Sequence, residues 1–138
     1  MRKFWSTAVL GLVLAGLMSL AASAQPPTEV LCSRSFTVSA GAQPATIGVA
    51  ARAGFQIAIC GYDINAGAAP GTFQLFYGTG ALCSGSPVNL TPVFSIGING
   101  VLVSRSSNAS MTAPPGNAVC YNITGTGPIN AVVYYSQF

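Results

Sequence analysis

From about residue 30 onward the chain is a series of short apolar runs in which polar and apolar positions alternate, interrupted by Gly, Pro, Ser or Asn about every 8–12 residues. A period of two puts successive side chains on opposite faces of a strand, and no stretch keeps the helical spacing long enough to form a helix. Strands are expected over 30–39, 45–51, 55–65, 72–77, 93–98, 101–105, 118–124 and 129–136. The run 55–65 is the strongest. Phe55, Ile57 and Ile59 share one face there, with Ala58, Cys60, Tyr62 and Ile64 on the other, which predicts a central strand covered on both sides. Asn99-Gly100 predicts a two-residue type I′ hairpin between 93–98 and 101–105. Segments 78–87, enclosing Cys83, and 106–116, with Pro114-Pro115, read as loops. Eight short strands predict an all-β fold, an antiparallel jelly-roll-like β-sandwich with no substantial helix.

The first 24 residues follow a different pattern. Arg2 and Lys3 precede an apolar stretch from Ala8 to Leu20, and Ala22-Ser23-Ala24 supplies a small-x-small cleavage site. This predicts a secretory signal peptide over 1–24, with bacterial-type export to the periplasm, cell surface or medium. The apolar run is shorter than the ~20 residues of a spanning helix, so no membrane span is expected after cleavage. Residues 25–138 are 114 of the 138, enough for a single β-sandwich domain.

Charge narrows the chemistry. The whole chain carries a formal +3, but two of its five basic residues lie in the leader. Arg34, Arg52 and Arg105 against Glu29 and Asp63 leave +1 for residues 25–138. Three scattered arginines form no basic stripe, so no nucleic-acid partner is expected. The chain has no histidine, which removes a Ser-His-Asp device. Its two carboxylate side chains stand far apart in sequence, one near the predicted mature N-terminus, against paired-acid hydrolysis. Asp63 is expected to be a hydrogen-bonded strand-end or loop residue, and the protein is expected not to be an enzyme and to need no cofactor.

The four cysteines, Cys32, Cys60, Cys83 and Cys120, are spaced by 28, 23 and 37 residues with no C-x-x-C pair. Zinc ligation is therefore disfavoured, and an even count in an exported chain predicts two disulfides. Each would contribute ~3–5 kcal/mol in the chain-entropy model. If the third and seventh strands neighbour each other, Cys60 meets Cys120. If the loop after the fourth strand lies where the first begins, Cys32 meets Cys83. Alternation in the last strand turns Tyr135 inward with Val133 and Tyr134 outward. Tyr62, Tyr121 and Tyr134 are the candidate interface or ligand contacts, a stacking platform if the ligand is a glycan.

Several short motifs then stand in order: Cys32, Ile59-Cys60-Gly61-Tyr62, Tyr77-Gly78-Thr79-Gly80 with Cys83, Gly116-Asn117-Ala118-Val119-Cys120, and Tyr135-Ser136-Gln137-Phe138. Together they resemble small disulfide-bonded β-sandwich proteins found in phage genomes and metagenomes, some like virion decoration or tail-associated proteins and some with secretion leaders. The resemblance covers essentially the whole chain after the leader and implies a sandwich with no catalytic residue. A second resemblance is to chaperone–usher pilin subunits. Gly125 holds the fourteenth position from the C-terminal end, as in that family, but Gln137 stands where those subunits have tyrosine. The function expected is an exported structural or adhesive module acting by self-association or by docking to a cell-surface or virion component. A pilin subunit and a soluble carbohydrate-binding lectin are the alternatives.

Overall fold

The computed structural model describes residues 31–138, so the leader 1–24, its cleavage site and Glu29 lie outside the described residues. Ten strands and one 3₁₀ turn, Ala81–Cys83, follow in chain order: β1 (Arg34–Ala40), β2 (Gln43–Val49), β3 (Ile57–Ala66), β4 (Gly71–Thr79), β5 (Gly85–Asn89), β6 (Phe94–Ile96), β7 (Val101–Arg105), β8 (Met111–Ala113), β9 (Ala118–Gly125) and β10 (Ile129–Gln137). They form two antiparallel five-stranded sheets. Sheet I runs β1-β10-β3-β7, with β8 also paired to β3, and sheet II runs β2-β9-β4-β5, with β6 also paired to β4. Among the described residues no helix is long and apolar enough to cross a membrane.

Ten strands occupy eight positions, because the outermost position of each sheet is split. β7 pairs with Gly61–Asn65 and β8 with Ile57–Ile59 on the same side of β3. β5 and β6 divide the side of β4 in the same way. Of the two unexpected strands, β8 lies within the segment 106–116 read as a loop, and β5 begins in the segment 78–87 and runs two residues past it. β5 is largely exposed and contains Pro87, tolerated because this is an edge strand. β8 has three residues, too few to display a period, although Ala113 is fully buried. Between β5 and β6 the Thr91 hydroxyl accepts from the Leu75 N–H at 2.9 Å, satisfying a donor that the broken edge would otherwise leave bare.

The core lies between the sheets. Val38, Ile57, Ile59, Ile64, Ile129 and Val133 from sheet I meet Val49, Phe73, Leu75, Val119 and Ile123 from sheet II. Strand β3 reaches this arrangement by a route that simple alternation misses. The β3–β10 register slips between Tyr134, opposite Gly61, and Tyr135, opposite Ile59, so Cys60 is an extra residue on β3. Such a bulge shifts the phase by one. Ile57 and Ile59 before it, and Tyr62, Ile64 and Ala66 after it, therefore all face the one core.

Two further expectations are corrected. Asn99-Gly100 does not close a hairpin, because β6 belongs to sheet II and β7 to sheet I. Gly100 N–H donates to the Gly97 carbonyl at 2.8 Å, and Asn99, third in that turn, has φ 54°. A type I′ turn needs positive φ at both central residues, and Ile98 has none. The chain uses Asn99 to cross between sheets instead.

The disulfide pairing also differs. The bonds are Cys32–Cys60 and Cys83–Cys120, with Cα separations of 6.0 and 6.3 Å, not Cys60–Cys120 and Cys32–Cys83. Strands β3 and β9 lie in opposite sheets, so Cys60 and Cys120 have the whole sandwich between them. Facing sheets stand ~10 Å apart, more than a disulfide spans. Each bond instead fastens a neighbouring segment onto the outer face of one sheet.

Candidate functional site

The outer face of sheet I carries most of the polar organisation. Register places its outward residues in rows across β1, β10, β3 and β7: Ser39, Asn130, Asn65 and Val101; then Thr37, Val132, Asp63 and Val103; then Ser35, Tyr134, Gly61 and Arg105. In the first row Ser39 Oγ donates to Asn130 Oδ1 at 2.6 Å, and Asn130 Nδ2 donates to Asn65 Oδ1 at 3.1 Å. These cross-strand pairs hold three strands in register.

The next two rows meet at Asp63, the only carboxylate side chain among the described residues. Arg105 Nε donates to Asp63 Oδ1 at 2.9 Å while Nη2 pairs with Oδ2, a two-pronged contact. Tyr134 Oη donates to Asp63 Oδ2 at 2.9 Å. The Arg105 guanidinium also lies 5.4 Å from the centre of the Tyr134 ring. Gly61, between Tyr134 and Arg105 in its row, has no side chain to separate them. The hydrogen bond from Arg105 holds the Asp63 carboxyl below its usual range, reinforced by Tyr134 and opposed by partial desolvation. The hydrogen bond to Asp63 in turn raises the Tyr134 phenol above its ordinary value. Arg105, bonded to the same carboxylate, is held more firmly protonated. Asp63 thus accepts three hydrogen bonds from within the strand interior, rather than standing at a strand end, and has little basicity left to offer.

Beside this cluster lies a groove of about 300 Å³ bordered by Leu31, the Cys32–Cys60 bond, Gly61, Ser106, Ser107 and Tyr134, with Arg105 at its edge. Its walls combine a phenol ring, serine hydroxyls, a guanidinium 64 % exposed and a disulfide. That set can stack and hydrogen-bond. Among the described residues no group of three or more His, Cys, Asp or Glu side chains is placed to hold a metal ion.

The three candidate tyrosines are not brought together. Tyr134 is on the outer face of sheet I, as alternation predicts. Tyr62 is 8 % exposed and packs against Phe94, with ring centres 5.3 Å apart. Tyr121 faces the core between Phe36 and Phe73, at 6.1 and 6.2 Å. The bulge at Cys60 is what turns Tyr62 inward. Residues missed at the sequence level are Arg105, Gly61, Val101 and Val103. Their shared row or face could be found only from the β3–β7 register. Comparison of the chain with protein-family models, curated proteins and solved structures found no match, and nothing in it links the chain to phage proteins.

Proposed function

We propose that this protein is an exported, non-enzymatic jelly-roll module that acts by contact, through self-association or by docking to a cell-surface or virion component. The observation that carries the reading is the outer face of sheet I. Asp63 is bound into an ion pair and a phenol hydrogen bond there, next to a side-chain ladder and exposed valines. A carboxylate so engaged serves rigidity better than proton transfer. Two disulfides suit an oxidising extracellular compartment and a durable scaffold.

The jelly-roll assignment is supported by strand order. With each split edge counted as one strand, the sheets read 1-8-3-6 and 2-7-4-5, the order of two interleaved Greek keys. The pilin alternative is weakened because β10 is flanked on both sides, by β1 and β3, whereas a subunit awaiting a donor strand has an open groove. The lectin alternative draws on the Tyr134 groove. The test is light scattering on the full-length chain expressed through an exporting host, run beside a glycan array and a cell-binding assay. Self-association, or binding to a surface component without a glycan signal, is expected. A monomer with glycan binding lost on Tyr134→Ala would replace this reading with the lectin.

A further inference from the structure

We infer that β7 is the docking edge for a second copy of this chain, two β7 strands pairing antiparallel about Val103 to join two copies of sheet I into one continuous sheet. This rests on the contact reading above and names its partner. The argument begins with which backbone groups are free. Ala66 N–H donates to the Gly100 carbonyl at 3.0 Å, and Ser106 N–H to the Cys60 carbonyl at 2.9 Å. Both pairs belong to the β3–β7 register, so Gly100 and Ser106 turn their backbone toward β3. An antiparallel ladder alternates, so Leu102 and Ser104 do the same. Val101, Val103 and Arg105 therefore present N–H and C=O to the other side, where no strand lies among the described residues.

Most other sheet edges are blunted. β2 contains Pro44 and two register irregularities, and β5 contains Pro87, a register shift and Ser86 at φ 47°. β6 and β8 are three residues each. These are the usual protections against edge pairing. The exceptions are β1 and β7, both in sheet I. β1 turns Ser35, Thr37 and Ser39 to the outer face, whereas β7 turns out Val101 and Val103, 69 % and 57 % exposed. A regular β-branched edge with no proline, glycine or inward charge is one that burial would favour.

The strand is also complementary to itself. Pairing about Val103 sets Val103 beside its own copy and Val101 beside Arg105 of the second chain. All three residues that have free backbone groups become hydrogen-bonded pairs, each exchanging two bonds. The two valines at the centre form an apolar cross-strand pair, and each arginine faces a valine rather than another arginine. Pairing β7 with β1 of a second copy would set Val103 against Thr37 and bring Arg105 toward Arg34. The two-fold arrangement is closed, so it yields a dimer and not a fibre.

Proline tests this with little disturbance to the fold, because the Val103 N–H is not used in the β3 ladder. The full-length chain, expressed through an exporting host and followed by sedimentation velocity over a wide concentration range, should dimerise reversibly. Val103→Pro should weaken the dimer about tenfold or more, the loss expected for removing its central hydrogen bonds. Val103→Lys should do the same if proline disturbs folding, while Leu102→Pro, which strikes the β3 ladder, should lower the melting temperature. A dimer untouched by both Val103 variants would overturn the β7 edge and leave contact by another surface standing. A monomer at every concentration that binds a surface component would do likewise, and a monomer that binds nothing would sink both proposals.

Discussion

On sheet II the turn Ala81–Cys83 folds over the outer face, and the Cys83–Cys120 bond is sealed with Ala118 and Phe76 in a small second core. On sheet I Cys32 is only half-buried in its bond to Cys60, and the groove opens beside it. Loop length does not explain this difference. For separations of 28 and 37 residues the chain-entropy terms differ by only about 0.2 kcal/mol. Burial and backbone conformation do explain it. Leu82, Cys83 and Ser86 have φ values of 53°, 56° and 47°, left-handed conformations that cost non-glycine residues roughly 1–2 kcal/mol each. The sheet II loop keeps that shape because the disulfide and the small core hold it. Its clamp is structural, while the clamp on sheet I leaves a surface free for contact.

The largest expected effect comes from removing the bonds. Cys83→Ala with Cys120→Ala should cost about 4 kcal/mol from chain entropy and about 1 kcal/mol more from lost packing, since both sulfurs are buried. Cys32→Ala with Cys60→Ala should cost about 3.5 kcal/mol, with less loss of packing. Urea unfolding of the two double variants measures both values. If the sheet I pair proves the costlier, burial is not what separates the faces.

Next come two glycines that let a neighbouring backbone approach. A Cβ on Gly78 would meet the Cys83 carbonyl oxygen at 2.6 Å and that of Gly85 at 2.9 Å. One on Gly61 would run into the Ser104 carbonyl oxygen and the Arg105 Cα. None of these contacts can be relieved by rotating a side chain, so Gly78→Ala and Gly61→Ala should each cost about 1–3 kcal/mol. The location of the damage distinguishes them. Amide shift changes should centre on 81–86 for Gly78→Ala, and on β7 and the groove for Gly61→Ala.

A smaller effect is electrostatic and belongs to sheet I alone. Asp63 titrates below its ordinary value of 3.8 when folded, so its contribution is present above the unfolded pKa and fades as pH falls through the lower folded value. Asp63→Asn should flatten the dependence of melting temperature on pH below about 4. A wild-type curve that is already flat there would show that the ion pair adds nothing. The Cys83→Ala, Cys120→Ala variant, altered on the opposite face, should keep the wild-type acid dependence.

The smallest effect concerns the phenol. Tyr134 should ionise above the ordinary tyrosine value of 10.0, because Asp63 favours the protonated form. Ultraviolet titration should show a raised tyrosine step that moves down in Asp63→Asn and disappears in Tyr134→Phe, with little change in stability. If that step survives Tyr134→Phe, the raised phenol lies elsewhere.

The sequence alone determined what depends on local pattern and composition. Alternation placed β7 at 101–105 and came within a few residues of β9 and β10, because all three keep a regular period without a bulge of their own. It set Tyr134 outward and Tyr135 inward for the same reason. Four cysteines behind a leader-like segment announced two disulfides, since their number and spacing suit little else. What the tertiary structure decided is whatever depends on which strands lie side by side. The extra residue at Cys60 reverses the phase of β3, and no local signal marks it because both of its faces are apolar. Asn99-Gly100 has the composition of a hairpin, but a turn does not reveal that its two strands enter different sheets. The disulfide partners, the Asp63–Arg105–Tyr134 cluster and the free edge of β7 arise between residues far apart in the chain. Their proximity is a property of sheet order and register, and the alternation of a single strand contains neither.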